Sequence, residues 1–190
     1  MDRVVLINQG TIPHYRIAVY NYLSECLEWD GFGLTVVSAG VENRMWQDVR
    51  FDHRAMPLSV CSISMLLHQL RPEVVVLWVN LKNLYLFPII AVAKVLGSKV
   101  VYWGHGIDLQ DKKARIKNLA YFLEHWLCDA IILYGKHLKK YVMAAFHSKI
   151  FIANNTLKLA PRYCNDELKE RILAKYKIKT AKNIICSGRM

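Results

Sequence analysis

Hydrophobic positions along the chain fall into two alternating kinds of run. Val4–Asn8, Leu34–Ser38, Val74–Trp78, Lys99–Trp103, Ala130–Tyr134 and Ile150–Ala153 are four or five residues long, rich in β-branched residues and almost continuously apolar. That is the pattern of a strand covered on both faces, rather than the alternation of a half-exposed one. Between these runs the apolar positions take helical spacing. Val19, Leu23, Cys26 and Leu27 share one face, as do Val60, Ile63, Leu67 and Leu70, and Ile116, Leu119, Ala120, Leu123, Trp126 and Leu127 form a third stripe. Arg71-Pro72 and Gly97 supply stop signals ahead of two strands. Repeated strand–helix alternation predicts an α/β fold, a Rossmann-like doubly wound parallel sheet with right-handed crossovers. Segment 40–58 reads as a loop with one short strand near Phe51–Met56.

The tail breaks this rhythm. Asn165-Asp166-Glu167 places acid at a helix start, and Lys175 and Lys177 place base at its end, which complements the helix dipole. Residues 183–187 then open like another buried strand. The expected organisation is a first unit over 1–164 and an appended helix and strand over 165–190, cut at a domain boundary.

Composition narrows the class. The chain has 190 residues, 54% hydrophobic and 22% charged, which suits a packed globule and excludes disorder. Lys and Arg number 26 against 15 Asp and Glu, leaving a formal +11. Such a field attracts nucleotide phosphates, nucleic acid or an acidic membrane face. The five cysteines (Cys26, Cys61, Cys128, Cys164, Cys186) are scattered and never form a Cys-x-x-Cys pair, so most are expected to be small buried hydrophobes and no structural zinc site is expected. The N-terminal apolar run is too short for a signal peptide. The longest apolar stretch, Leu84 to Ala93, contains Pro88 and falls short of the ~20 residues a spanning helix needs. A cytoplasmic protein that does not cross a membrane is expected.

In open α/β sheets ligands bind beyond the carboxyl ends of the strands. The residues there are Asn8-Gln9-Gly10, Ala39-Gly40, Asn80, Gly104-His105-Gly106-Ile107-Asp108, Tyr134-Gly135-Lys136 and Asn154-Asn155-Thr156. This rim of glycine and amide groups suits a polar, phosphate- or sugar-bearing ligand; each glycine taken singly also reads as plain turn geometry. His105, between two glycines at a strand end, is the chemical candidate, able to donate to a substrate hydroxyl or share a proton. On position alone it reads equally as a surface histidine. His14, His53, His68, His125, His137 and His147 lack metal-ligand spacing and are taken as ordinary. No Gly-x-Gly-x-x-Gly opens the first helix, and no P-loop or Gly-x-Ser-x-Gly elbow occurs, which sets aside three enzyme classes.

Basic residues cluster at Lys112, Lys113, Arg115 and Lys117, opening a helix whose other face is apolar and ends at Trp126. That arrangement suits an anionic bilayer surface, and equally a solvated helix face. No nucleic-acid module accompanies the charge, so nucleic acid is not expected as a partner.

Trp103-Gly104-His105-Gly106 after a strand, Cys128-Asp129-Ala130-Ile131-Ile132-Leu133-Tyr134, Asn154-Asn155-Thr156-Leu157 and the terminal Cys186-Ser187-Gly188-Arg189-Met190 occur in that order. With the Arg71-Pro72-Glu73-Val74-Val75 turn into a strand, this resembles the N-terminal half of family-4 glycosyltransferases of the GT-B fold, of the bacterial surface-polysaccharide type. The resemblance implies an acceptor-binding first unit and the start of a donor-binding second one. It implies retaining transfer from a nucleotide-sugar donor to a saccharide or polyprenyl-linked acceptor. No cofactor or metal is implied, because positive side chains and a helix dipole hold the diphosphate. Gly10, Gly104, Gly106, Asn155, Gly188 and Arg189 would face the donor, with His105 at the reaction centre. Pro13, His14, Tyr15 and Arg16 would face the acceptor, and Lys112, Lys113, Arg115 and Lys117 a membrane. The family's Glu, seven residues, Glu motif and its phosphate-binding Lys are absent, so the chain alone is expected to be inactive. A non-catalytic membrane-docking subunit for a separate donor-binding protein is the alternative, and a stand-alone nucleotide-binding flavodoxin-like domain comes third.

Overall fold

The continuous apolar runs become strands, and the inner ones are covered on both sides; the last, Ile150–Ile152, departs from that expectation, since it lies at the edge of the sheet with Phe151 and Ile152 exposed. The computed structural model describes residues 2–42, 48–78, 86–107, 115–154, 170–171 and 174–175. In chain order the elements are β1 (Asp2–Asn8), β2 (Thr11–Ile12), α1 (His14–Trp29), β3 (Phe32–Ser38), β4 (Gly40–Val41), β5 (Asp52–Ala55), α2 (Val60–Leu70), β6 (Val74–Trp78), α3 (Leu86–Val95), β7 (Lys99–Gly104), α4 (Arg115–Leu127), β8 (Ala130–Leu133), two short 3₁₀ segments (Lys136–Tyr141 and Ala144–Lys149) and β9 (Ile150–Ile152). Seven of the strands form one parallel sheet, in the order β5-β3-β1-β6-β7-β8-β9. The chain runs outward from β1 through β3 to β5, then returns to β1's other side at β6 and runs outward the opposite way. The reversal between β1 and β6 is the topological switch point, and a doubly wound Rossmann-like sheet opens a crevice there.

Alternation along β1 divides the core. Val5 and Ile7 face a layer that includes Ile63 and Leu67 of α2, Ile89 and Ile90 of α3 and Tyr121 of α4. Val4 and Leu6 face the other layer, with Ile17 and Tyr20 of α1. The stop signals act as expected: Arg71 closes α2 in the left-handed region at φ 43° ahead of Pro72. At the other end of α2 the Ser59 hydroxyl accepts the Ser62 amide at 3.1 Å, a cap worth about 1 kcal/mol. The short strand expected near Phe51–Met56 is β5. The two-residue pairing of β2 with β4 is a feature the sequence reading lacks.

Three expectations are corrected. In α1 the buried face is Arg16, Ile17, Tyr20 and Ser24, with Val19, Leu23 and Leu27 only partly covered. In α4 the face turned inward is Tyr121, Glu124 and His125, while Leu119, Leu123 and Trp126 are exposed. Leu119, Leu123 and Trp126 of the apolar stripe therefore point outward, while Leu127 packs against the core. Of the described cysteines only Cys128 is buried; Cys26 is partly covered and Cys61 exposed.

The chain divides into two compact units, Met1–Lys158 and Leu159–Met190. In the second, the backbone of 170–171 and 174–175 is helical.

Candidate functional site

The switch point is built from the last residues of β1, β6, β7 and β8. Strand register aligns them: Asn8 pairs with Trp78, Trp78 with Trp103, and Gly104 with Leu133. Asn8 is fully buried, and its side chain is satisfied on both ends. The Tyr20 hydroxyl donates to its Oδ1 at 2.8 Å, and its Nδ2 donates to the Gly10 carbonyl at 3.3 Å. Burial pushes the Tyr20 hydroxyl well above its ordinary pKa, so it remains a donor. The turn that follows holds Gly10 at φ +78°, with nothing within 4 Å of where a side chain would begin. Backbone there is open to close approach.

Pro13 precedes α1 in extended conformation and accepts the Arg16 amide at 2.8 Å. That first turn aims Arg16 inward, leaving Tyr15 exposed and His14 half-buried. Only 4% of Arg16 is exposed. Its guanidinium carbon lies 4.9 Å from the Trp78 ring centroid, 5.4 Å from Tyr134, 5.5 Å from Trp103 and 5.9 Å from Tyr15. Nη2 donates to the Tyr134 hydroxyl at 2.9 Å, and the Trp78 indole N–H donates to the same oxygen. Burial raises the Tyr134 pKa, so this hydroxyl stays protonated. A cation over aromatic faces gains about 2 kcal/mol or more when desolvated.

His105 sits on the opposite rim, exposed, with its ring 4.7 Å from that of Tyr134. Its pKa is lowered, first by partial desolvation and then by the Arg16 and His137 charges. The imidazole is therefore neutral near pH 7, able both to accept and to donate. Its loop is fixed from below: Gly106, at φ +73°, donates its N–H to the Tyr102 hydroxyl at 3.0 Å.

The structure thus brings Arg16 and His105 together about Tyr134 at the carboxyl end of the sheet, with Gly10 open at the end of β1 and Pro13, His14 and Tyr15 at the start of α1. Gly104 and Gly106 are buried beneath, Gly104 against Tyr102 and Gly106 against Val142 and Leu133. It does not describe Asn80, Lys112, Lys113, Asn155, Thr156, Gly188 or Arg189, which lie outside the described residues, as do the side chains of Arg115 and Lys117. Sequence reasoning missed Trp78 and the burial of Arg16. The available signal was the run of aromatics closing neighbouring strands, at Trp78, Trp103 and Tyr134.

No family model matches the chain, and no curated protein matches it. Solved structures do. HepE of Anabaena in complex with UDP-glucose aligns at TM-score 0.63 and 10% identity, over 92% of this chain and 50% of that one. The lipopolysaccharide outer core galactosyltransferase WaaB, in its apo form, aligns at 0.54 and 13%, over 83% and 47%. UDP-GlcNAc 2-epimerase from Neisseria meningitidis bound to UDP-GlcNAc aligns at 0.53 and 11%, over 95% and 55%. The chain spans about half the length of the structures it matches. At these identities the likeness establishes the fold, one Rossmann-like half of the GT-B glycosyltransferase architecture.

Proposed function

We propose that this chain is the acceptor-side half of a retaining, family-4-type glycosyltransferase, moving a sugar from a nucleotide-sugar donor to a saccharide or polyprenyl-linked acceptor in surface-polysaccharide synthesis. The observation that carries it is the gathering of Arg16, His105 and the glycine turns at the switch point of a sheet folded like halves of HepE and WaaB. Within this reading the neutral His105 ring meets the transferred sugar, Gly10 lets backbone approach the donor, and the buried Gly104 and Gly106 hold the loop that presents His105. Pro13, His14, Tyr15 and Arg16 take the acceptor side; the resemblance adds Asn155, Gly188 and Arg189, outside the described residues, to the donor-binding set. The diphosphate is held by positive side chains, without a resident metal. Transfer itself is assigned to an assembly with a donor-binding half, carried in the same protein or in a separate one.

Titration of the 190-residue chain with UDP-glucose, followed by NMR at the Gly10 amide and the His105 ring, tests the donor side. Weak saturable shifts at both are expected. If UDP-, GDP- and dTDP-sugars all leave both signals unmoved in the folded chain, the glycosyltransferase reading is lost.

Peripheral membrane docking has its own support. Leu119, Leu123 and Trp126 stand exposed at i, i+4 and i+7 of α4, at 57%, 38% and 62%, beside a sequence carrying +11. None of the described helices is long and apolar enough to cross a membrane. An apolar stripe on a basic chain fits the interface of an anionic leaflet, with each basic residue near the lipid adding about 1 kcal/mol. Sedimentation with phosphatidylglycerol-containing vesicles is expected to exceed that with neutral vesicles, and Trp126→Ser is expected to reduce it several-fold. Equal sedimentation with both vesicle types, or none, removes the docking role.

A further inference from the structure

Arg16 is a buried cation whose charge the described residues leave unbalanced. A guanidinium cannot shed its proton inside a protein. Removing it from water costs several kcal/mol even after relaxation, more than cation–π contacts return. Among the described residues no carboxylate forms an ion pair with it; the ion pairs there join Arg50 to Glu25, Arg54 to Asp52 and Lys94 to Asp129. Among the described residues its one hydrogen bond to a side chain goes to the neutral Tyr134 hydroxyl, and its Nε is buried with no acceptor. Trp103, 9% exposed and with its ring facing the same guanidinium, also has its indole N–H buried without an acceptor. Two unpartnered donors, one on a cation, in one cluster at the mouth of the crevice call for an acceptor-rich anion.

We infer that Arg16, flanked by Trp78, Trp103 and Tyr134, anchors a subsite for a phosphate or diphosphate ester. The guanidinium fork matches phosphate oxygens in two-point contact, and the aromatic walls exclude water and strengthen that contact. Two sources present this chemistry: the diphosphate of a nucleotide sugar, and the diphosphate of an isoprenoid-linked acceptor. The assignment deepens the glycosyltransferase reading and rests on it for the origin of the phosphate, though the subsite itself rests on the geometry around Arg16. His105 supplies an internal reporter. The Arg16 charge helps hold the pKa of His105 below its usual value, so an anion seated on Arg16 moves that pKa upward.

The experiment is an NMR titration of the folded 190-residue chain with inorganic pyrophosphate, reading the side-chain N–H signals of Arg16 Nε and Trp103 Nε1 and the pH titration of His105. Saturable shifts of both N–H signals and a rise in the His105 pKa are expected. Arg16→Gln is expected to weaken binding at least tenfold, and Arg16→Lys, which keeps charge but loses the fork, several-fold. Unchanged affinity in either variant overturns the subsite, as do wild-type shifts confined to surface lysines. Should Arg16→Gln fail to fold, the wild-type signals and Arg16→Lys decide. Parallel titrations with UDP and with farnesyl diphosphate below its micelle concentration distinguish the sources: tighter binding of UDP through Arg16 assigns the donor, and tighter binding of farnesyl diphosphate the acceptor. Pyrophosphate held by Arg16, with nucleotide sugars leaving His105 and Gly10 unmoved, upholds the subsite and removes the glycosyltransferase reading. UDP-glucose shifts that are indifferent to Arg16 uphold the glycosyltransferase reading and exclude the donor as the source of the phosphate; if pyrophosphate and farnesyl diphosphate are indifferent to Arg16 as well, the subsite is removed.

Discussion

Gly104→Ala is expected to lower the stability of the chain by about 3–5 kcal/mol, combining overpacking with the loss of a buried hydrogen bond. A β-carbon at 104 would fall on the Tyr102 hydroxyl, with Tyr102 Cζ at 2.7 Å and Cε1 at 3.2 Å. Tyr102 has nowhere to retreat. It is 1% exposed, its ring meets that of His125 edge-on at 5.2 Å, and its hydroxyl accepts the Gly106 N–H at 3.0 Å. Moving the ring would release Gly106 and with it the loop that presents His105, so structural and functional losses arise together. For a chain of this size the cost corresponds to a melting temperature lower by roughly 6–20 °C. Circular dichroism melts of the variant check it, and a shift of under 2 °C would show that Tyr102 is free to move. Tyr102→Phe combined with Gly104→Ala is expected to cost less than the sum of the two single changes, because removing the hydroxyl relieves part of the clash.

The parts legible in the sequence were those fixed by local pattern. Val74–Trp78 reads as a buried strand because every residue in it is apolar, and β6 occupies those five positions. The place of His105 at the carboxyl edge of the sheet, just after β7, was legible because the strand before it is marked by its own apolar run. What failed to show was decided by contacts distant in sequence. Arg16 and Tyr134 meet across 118 positions, and nothing local to Arg16 distinguishes an inward-facing guanidinium from a solvated one. Helix α4 misled for a related reason. Hydropathy periodicity identifies its apolar stripe correctly, but only the tertiary contact decides which side the sheet takes, and it takes Tyr121, Glu124 and His125. The pairing of β2 with β4 is two residues long, too short for any periodicity to register.

That inward polar face gives the chain a stability profile set by two adjacent residues with opposite signs. Glu124 is 1% exposed with Oε1 lacking a partner, and burial raises its pKa to about 8. His125 is 3% exposed with Nε2 lacking a partner, and burial, helped by the Lys149 charge, lowers its pKa to about 4. Tyr102 and Tyr121 pack against the His125 ring, and Cys128 lies close enough for Glu124 and Lys149 to affect its thiol. Between an unfolded carboxyl value of about 4.5 and about 8, the folded chain holds a Glu124 proton that the unfolded chain has released. Stability contributed by Glu124 therefore falls as pH rises through that window. Between about 4 and 6.5 the unfolded chain holds a His125 proton that the folded chain lacks, so stability contributed by His125 rises with pH there. The two slopes cancel from about pH 4.5 to 6.5 and leave a net fall from 6.5 to 8, on the order of 2 kcal/mol. Glu124→Gln removes the falling limb: the variant is expected to be stabilised relative to the wild type by several kcal/mol more at pH 8.5 than at pH 4.5. Urea unfolding of both proteins at pH 4.5, 6 and 8.5 measures the difference directly, since titrations common to both cancel. A constant offset between them at all three values would mean that Glu124 is charged in the folded chain and that its burial is compensated by a partner.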